Sequence, residues 1–163
     1  MSAPADNVTI RMASAGDIPA LARVWHDAWH SSHAVLDPDV AARRPLRFFE
    51  ECIATAIGHC VAACVGGEVV GFSSWEGEGI GQVFVLPAWH GRGVAARVLD
   101  AAEKALAAEG HSRIWLQCRK GNDRARAFYE KHGWAVVRED DHSLGHMEGR
   151  KPVIVWRLEK QLK

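Results

Sequence analysis

Between Cys60 and Leu86 the chain carries three apolar runs with strand spacing, and the way they are divided leaves little choice about how they pair. Residues 60–65 and 68–75 are separated by Gly66-Gly67, a two-residue hairpin signal, and a Gly-rich turn at Glu76-Gly77-Glu78-Gly79 separates the second run from residues 80–86. Pro87 stops the third run. The pattern predicts an antiparallel three-strand meander. A doubly wound parallel sheet would need a crossover between successive strands, and these connections are too short for one.

The flanking segments add strands and helices. Residues 8–12 alternate as a strand, and Ser14 to Asp17 open a helix with Ile18, Leu21, Val24, Trp25 and Ala28 on one face. Asp37-Pro38 reads as a helix cap followed by proline at the first helical position, which predicts a second helix from about residue 38 into the fifties, with Pro45 as a break point. After Gly93, residues Val94, Val98, Ala101, Ala102, Ala105 and Leu106 share a helical face that stops at Gly110. Residues 113–119 alternate as a strand, Asn122-Asp123 caps a shorter helix ending near His132-Gly133, and residues 134–138 and 153–158 read as final strands around a loop at 139–152. The expected architecture is one α/β domain of the α+β type over residues 8–160. It has a mixed, mostly antiparallel central sheet flanked by helices, with residues 1–7 as a short tail.

A chain of 163 residues, 48% apolar and 25% charged, suits one hydrophobic core. Lys and Arg together number 20 and so do Asp and Glu, which gives no reason to expect nucleic acid or anionic lipid as a partner. The first residues lack a basic segment followed by an apolar one, and no apolar run approaches the roughly 18 residues of a membrane helix, so the expectation is a cytoplasmic protein acting on a small or peptide-like substrate. Cys52, Cys60, Cys64 and Cys118 show no C-x-x-C spacing and lie in apolar runs, which predicts buried thiols. Most of the seven tryptophans should be core or pocket wall.

The chemistry concentrates where strand residues 83–85 run through loop residues 87–92 into the helix starting at Gly93. The first N–H groups of a helix have no intrahelical acceptor and the helix dipole adds partial positive charge there, so such a junction can hold a pyrophosphate without a lysine. Gly91 and Gly93 permit close backbone approach, and Arg92 can add a screened contact. The string G-x-x-x-x-G-K-[ST] is absent. Gly91 to Ala96 does fit the dinucleotide fingerprint G-x-G-x-x-A, but the preceding meander and the 44 residues left after Arg119 (120–163) argue against a doubly wound sheet.

Residues 85–95, with His90-Gly91-Arg92-Gly93-Val94-Ala95 at their centre, resemble the acetyl-CoA pyrophosphate loop of the GCN5-related N-acetyltransferases, [Q/R]-x-x-G-x-[G/A], except that His90 stands in place of the usual Gln or Arg. Residues 122–134, from Asn122 through Ala125, Phe128, Tyr129, Glu130 and Gly133 to Trp134, are similar to the family's N-x-x-A-x-x-F-Y-E-x-x-G-[F/Y/W]. The resemblance spans about residues 8–158 and is strongest over 83–134. It implies an acyl-CoA N-acyltransferase fold and an acetyl-CoA-dependent enzyme that acetylates a primary amine of a small molecule or peptide by direct attack, without a metal.

The resemblance also implies roles. Tyr129 is the general acid that protonates the departing CoA thiolate. Val83, Phe84 and Val85 pair with the pantetheine arm as an added strand would, His90 to Ala95 hold the pyrophosphate, and Asn122 and Phe128 lie along the cofactor. The carboxylate that many relatives carry near positions 79–81 is replaced by Gly79-Ile80-Gly81, which leaves Glu78 or Glu76 as the candidate base, or no dedicated base at all. The acceptor wall is expected from Trp25, Trp29, His33 and residues 142–150. His26, His30 and His33 sit at i, i+4 and i+7, a spacing that suits a polar helix face or pocket lining as well as a metal. The alternative reading is a non-catalytic acyl-CoA-binding or regulatory module with the same fold. Either would be a monomer or a homodimer, the apolar strand at 153–158 offering a pairing edge.

Overall fold

A computed structural model describes residues 7–33, 44–141 and 153–162. Its strands are β1 (Thr9–Met12), β2 (Cys60–Val65), β3 (Glu68–Glu76), β4 (Gly79–Val85), β5 (Arg113–Arg119), β6 (Ala135–Asp141) and β7 (Ile154–Gln161). Four α-helices are described, α1 (Ile18–His33), α2 (Leu46–Ala56), α3 (Val94–Ala108) and α4 (Asp123–Lys131). The strands form one sheet in the order β1-β2-β3-β4-β5-β7-β6. Every pairing is antiparallel except the short parallel contact between β4 and β5. The mixed, mostly antiparallel sheet expected from the sequence is therefore the observed one.

Strand β2 shows why its sequence is apolar throughout. Cys60, Ala62 and Cys64 face Leu21 and Val24 of α1 and Ile53 of α2, while Val61 and Ala63 face Val94, Val98, Leu99 and Leu106 of α3. Both faces are covered, so hydrophobic residues at every position replace the alternation of a half-exposed strand. Cys60, Cys64 and Cys118 are buried as expected, whereas Cys52 on α2 is half-buried. Pro45 ends up as the N-cap residue of α2. The expected helical start near residue 38 lies outside the described residues.

Two sequence expectations are corrected. Strand β6 continues through Glu139 and Asp140 to Asp141, beyond the boundary read at residue 138, because each pairs with Trp156, Val155 or Ile154 of β7. The strand at 153–158, offered as a dimer edge, is interior, bonded to β5 on one side and β6 on the other. Among the described residues the sheet edges are β1 and β6. No helix in them is long and apolar enough to cross a membrane.

The entry to α1 is fixed electrostatically. Arg11 at the end of β1 donates from Nη1 and Nη2 to the two carboxylate oxygens of Asp17 at 2.7 and 2.8 Å, and the Ser14 N–H donates to the same carboxylate at 2.8 Å. The bidentate Arg11 bond, with the Ser14 bond behind it, holds the Asp17 carboxyl well below the usual carboxylate range. A lowered folded-state pKa contributes stability above the unfolded value near 4 that is lost as pH falls below it. Asp17→Asn is therefore expected to destabilise the protein by about 1 kcal/mol at pH 7, Arg11 being partly exposed. The difference from wild type in urea melts should shrink steadily below pH about 4.

Candidate active site at the splayed strands

The parallel contact between β4 and β5 is confined to Gly79 with Trp115 and Ile80 with Leu116; beyond Ile80 the strands diverge. The divergence begins at a bulge. Ser74 pairs with Gln82 and Trp75 with Ile80, so Gly81 is an extra residue that bends β4 away. The Leu86 N–H donates to the Val70 carbonyl of β3 at 2.9 Å, which fixes the phase of the strand. Alternation then turns the N–H groups of Gln82 and Phe84 toward β3 and those of Val83 and Val85 toward the open side. The Val85 carbonyl on that side is taken by His90, whose Nε2 donates to it at 3.0 Å and so folds the loop back against its own strand.

The open edge runs into the N-terminus of α3. A short 3-10 turn, Pro87–Trp89, turns the chain, and Gly93 serves as the N-cap with φ 78° and no side-chain cap. Gly91 also has positive φ, 77°. Both lie in the left-handed region, and a Cβ placed at either would meet nothing within 4 Å, so the space before the first turn is open to a ligand. The guanidinium of Arg92 stacks on Trp89, 4.7 Å from the ring centroid. A cavity of about 580 Å³ follows this surface, lined by Val83, Phe84, Val85, Trp89, His90, Gly91, Gly93, Val94 and Ala95 on one side and by Asn122, Phe128 and Tyr129 of the α4 segment on the other. An elongated molecule bearing amides along one arm and phosphates at its end fits these groups.

Helix α4 reaches this cavity because Asn122 caps it, its side-chain oxygen accepting the Ala125 N–H at 3.2 Å. Tyr129 packs edge-on against Phe128 and Trp134, with centroids 5.3 and 6.3 Å away. Burial, with a smaller push from the Cys118 thiol, drives the Tyr129 hydroxyl pKa up from its ordinary value, so at neutral pH it is a proton donor. Burial also pushes the Cys118 thiol up to about 11 and the Cys60 thiol up to about 12, which leaves neither as a nucleophilic thiolate near pH 7.

On the other side of β4 a second cavity, about 490 Å³, is lined by Trp25 and Trp29 of α1, Arg44, Glu76, the Gly79–Gln82 bend, Phe84, and Trp115, Gln117 and Arg119 of β5. Trp25 and Trp29, which the resemblance assigns to the acceptor wall, both line this cavity. His33 ends α1, but its side chain and residues 142–150 lie outside the described residues. Glu78 is exposed on the β3–β4 turn and lines neither cavity, whereas Glu76 lines this one. His26 and His30 pack with centroids 4.2 Å apart and rings tilted by 40°; His26 Nδ1 bonds Asp27 and His30 Nε2 bonds the Arg44 carbonyl. Sequence reasoning missed Trp115, Gln117 and Arg119 as pocket wall, although their i, i+2, i+4 spacing on a strand already put them on one face.

Comparison with known proteins matches residues 20–134 to the acetyltransferase (GNAT) family. An uncharacterized N-acetyltransferase of Mycobacterium tuberculosis is 33% identical over 79 residues, 48% of this chain and 51% of that protein, so the chain spans about half the length of the curated relatives it matches. Two solved structures share the fold over nearly their whole lengths. A GCN5-related N-acetyltransferase from Rhodopseudomonas palustris superimposes with TM-score 0.75 at 22% identity, covering 99% of this chain and 98% of the other. The PaiA N-acetyltransferase from Thermoplasma acidophilum, solved in complex with coenzyme A, gives 0.74 at 19% identity and 99% coverage of both chains.

Proposed function

Since this chain belongs to the GNAT acetyltransferase family, matching it over residues 20–134, we propose that it transfers the acetyl group of acetyl-CoA to a primary amine of a small molecule or peptide. The observation that carries the reading is the open edge of β4 leading directly into the uncapped N-terminus of α3, with Tyr129 lining the same cavity. The cofactor supplies a thioester whose carbonyl an amine attacks and whose thiolate leaves.

Each group has a task in that scheme. The Val83 and Val85 N–H groups bind the pantetheine amides and orient the carbonyl. The unpaired N–H groups of the first turn of α3, beside Gly91 and Gly93, take the pyrophosphate. Asn122 and Phe128 flank the arm. Tyr129 delivers its proton to the thiolate sulfur, which would otherwise leave as an anion. The amine enters from the second cavity between Trp25, Trp29 and Trp115, and Glu76, through a water, is the better placed of the two turn carboxylates to accept its proton. With the Cys118 thiol beside Tyr129 protonated, transfer is direct rather than through an acyl-enzyme.

Calorimetric titration of acetyl-CoA into the purified protein should give micromolar binding, abolished by Gly93→Trp, whose indole would fill the space before α3. A screen of amines for acetyl-CoA-dependent thiol release then identifies the acceptor. Folded wild-type protein that binds no acetyl-CoA would overturn the proposal.

A further inference from the structure

The two cavities on either side of β4 have a single lining residue in common, Phe84. Its ring stacks on Trp25 at 6.0 Å with an interplanar angle of 26° and tilts against Phe72 at 6.2 Å. Trp25 is in turn braced edge-on by Phe49 at 5.2 Å, and Phe49 and Phe72 are fully buried. The ring is backed by Phe72 and Trp25, so moving it toward them would disturb packed core. Its backbone sits between Val83 and Val85, whose N–H groups face the open edge of the strand. The ring thus stands at the boundary between the cavity along the strand edge and the cavity walled by Trp25 and Trp29.

We propose that Phe84 is the gauge that limits the acyl group transferred by this site to acetyl or little more. The inference rests on the cofactor assignment made above. An acyl chain extending from the strand edge toward the second cavity passes this ring, and each added methylene beyond acetyl presses on an aromatic wall backed by Phe72 and Trp25. An acyl chain can lengthen only by displacing that wall, which neighbouring rings hold, or by turning into the acceptor cavity and excluding the amine.

The test compares calorimetric binding of CoA, acetyl-CoA, butanoyl-CoA and hexanoyl-CoA to wild type, Phe84→Leu and Phe84→Ala. Each affinity is expressed relative to CoA, which carries no acyl group and reports the integrity of each variant's cofactor site. Wild type should bind hexanoyl-CoA at least tenfold more weakly than acetyl-CoA. Phe84→Ala should bring that ratio to within about threefold, with Phe84→Leu between them. If Phe84→Ala does not fold, the ratio in Phe84→Leu, which keeps most of the core volume, decides the question: no relaxation overturns the gauge. Equal binding of hexanoyl-CoA and acetyl-CoA by wild type overturns it as well. Failure of wild type to bind CoA itself would instead remove the cofactor assignment on which the gauge depends.

Discussion

Tyr129→Phe is expected to lower kcat by about 10²- to 10⁴-fold while leaving the dissociation constant for acetyl-CoA nearly unchanged. The substitution removes one oxygen. The ring keeps its contacts with Phe128 and Trp134, and the backbone carbonyl of residue 129 still accepts the N–H groups of His132 and Trp134 at 3.0 and 3.1 Å. On the proposed mechanism, what is lost is the proton that the leaving thiolate takes. Burial raises the Tyr129 pKa, so the hydroxyl stays protonated through the ordinary phenol range and beyond. Wild-type kcat/KM should accordingly rise with pH as the attacking amine loses its proton, with no falling limb from Tyr129 below pH about 10. Single-turnover rates and calorimetry on the same preparations separate the chemical step from binding. Unchanged kcat would take the acid role from Tyr129. Tight binding with no turnover by wild type against every amine would favour a module that holds acyl-CoA without reacting.

The extent to which this site could be read from the chain followed the range of the interactions that build it. The strand-loop-helix junction proposed for the pyrophosphate depends on glycines at 91 and 93 and on a helix starting immediately after them, all within a dozen residues, and the structure has both glycines at positive φ directly before that helix. Tyr129 was legible for the same reason, since Asn122 caps the helix that carries it. The family resemblance implies that the strand before the loop splays from its neighbour, but the residues alone do not show it, because the divergence of β4 from β5 arises from a bulge at Gly81 and a contact with residues 115 and 116. Nor do they show the choice between Glu76 and Glu78: both sit near one turn, and only the three-dimensional course of β3 puts Glu76 against the second cavity. The end of β6 was obscured by charge. Glu139, Asp140 and Asp141 look like a loop in sequence, yet on an edge strand charged side chains are expected, and Lys120 and Arg138 pair with Glu139 and Asp140 at 2.8 Å.

The absence of a family-type carboxylate at the start of β4 has a steric side that a pair of glycine substitutions exposes. A Cβ at Gly79 would lie 2.8 Å from Cε2 and Cζ2 of Trp115, closer than packed atoms approach, whereas one at Gly81 would meet only Ser74, at 3.6 Å or more. Trp115 is not free to swing away without loss. Arg157 stacks on it at 4.4 Å while bonded to Glu159 at 3.0 Å, and Trp115 is itself the register partner of Gly79. Gly79→Ala must therefore push β4 and β5 apart at one of the two residue pairs that join them. Overpacking of this kind costs about 1–3 kcal/mol, which lowers Tm by roughly 3–10 °C in a domain of this size. Because both cavities hang on the same strand, a shift of about 1 Å should also reduce kcat/KM by about 10²-fold. Gly81→Ala should melt within about 2 °C of wild type, its φ not being positive and its new methyl making an ordinary contact. Calorimetric melts of the two proteins and initial rates for Gly79→Ala supply the comparison. Were Gly79→Ala to melt with wild type, Trp115 would have to turn aside at no cost, and position 79 would then be open to the carboxylate that many relatives carry there.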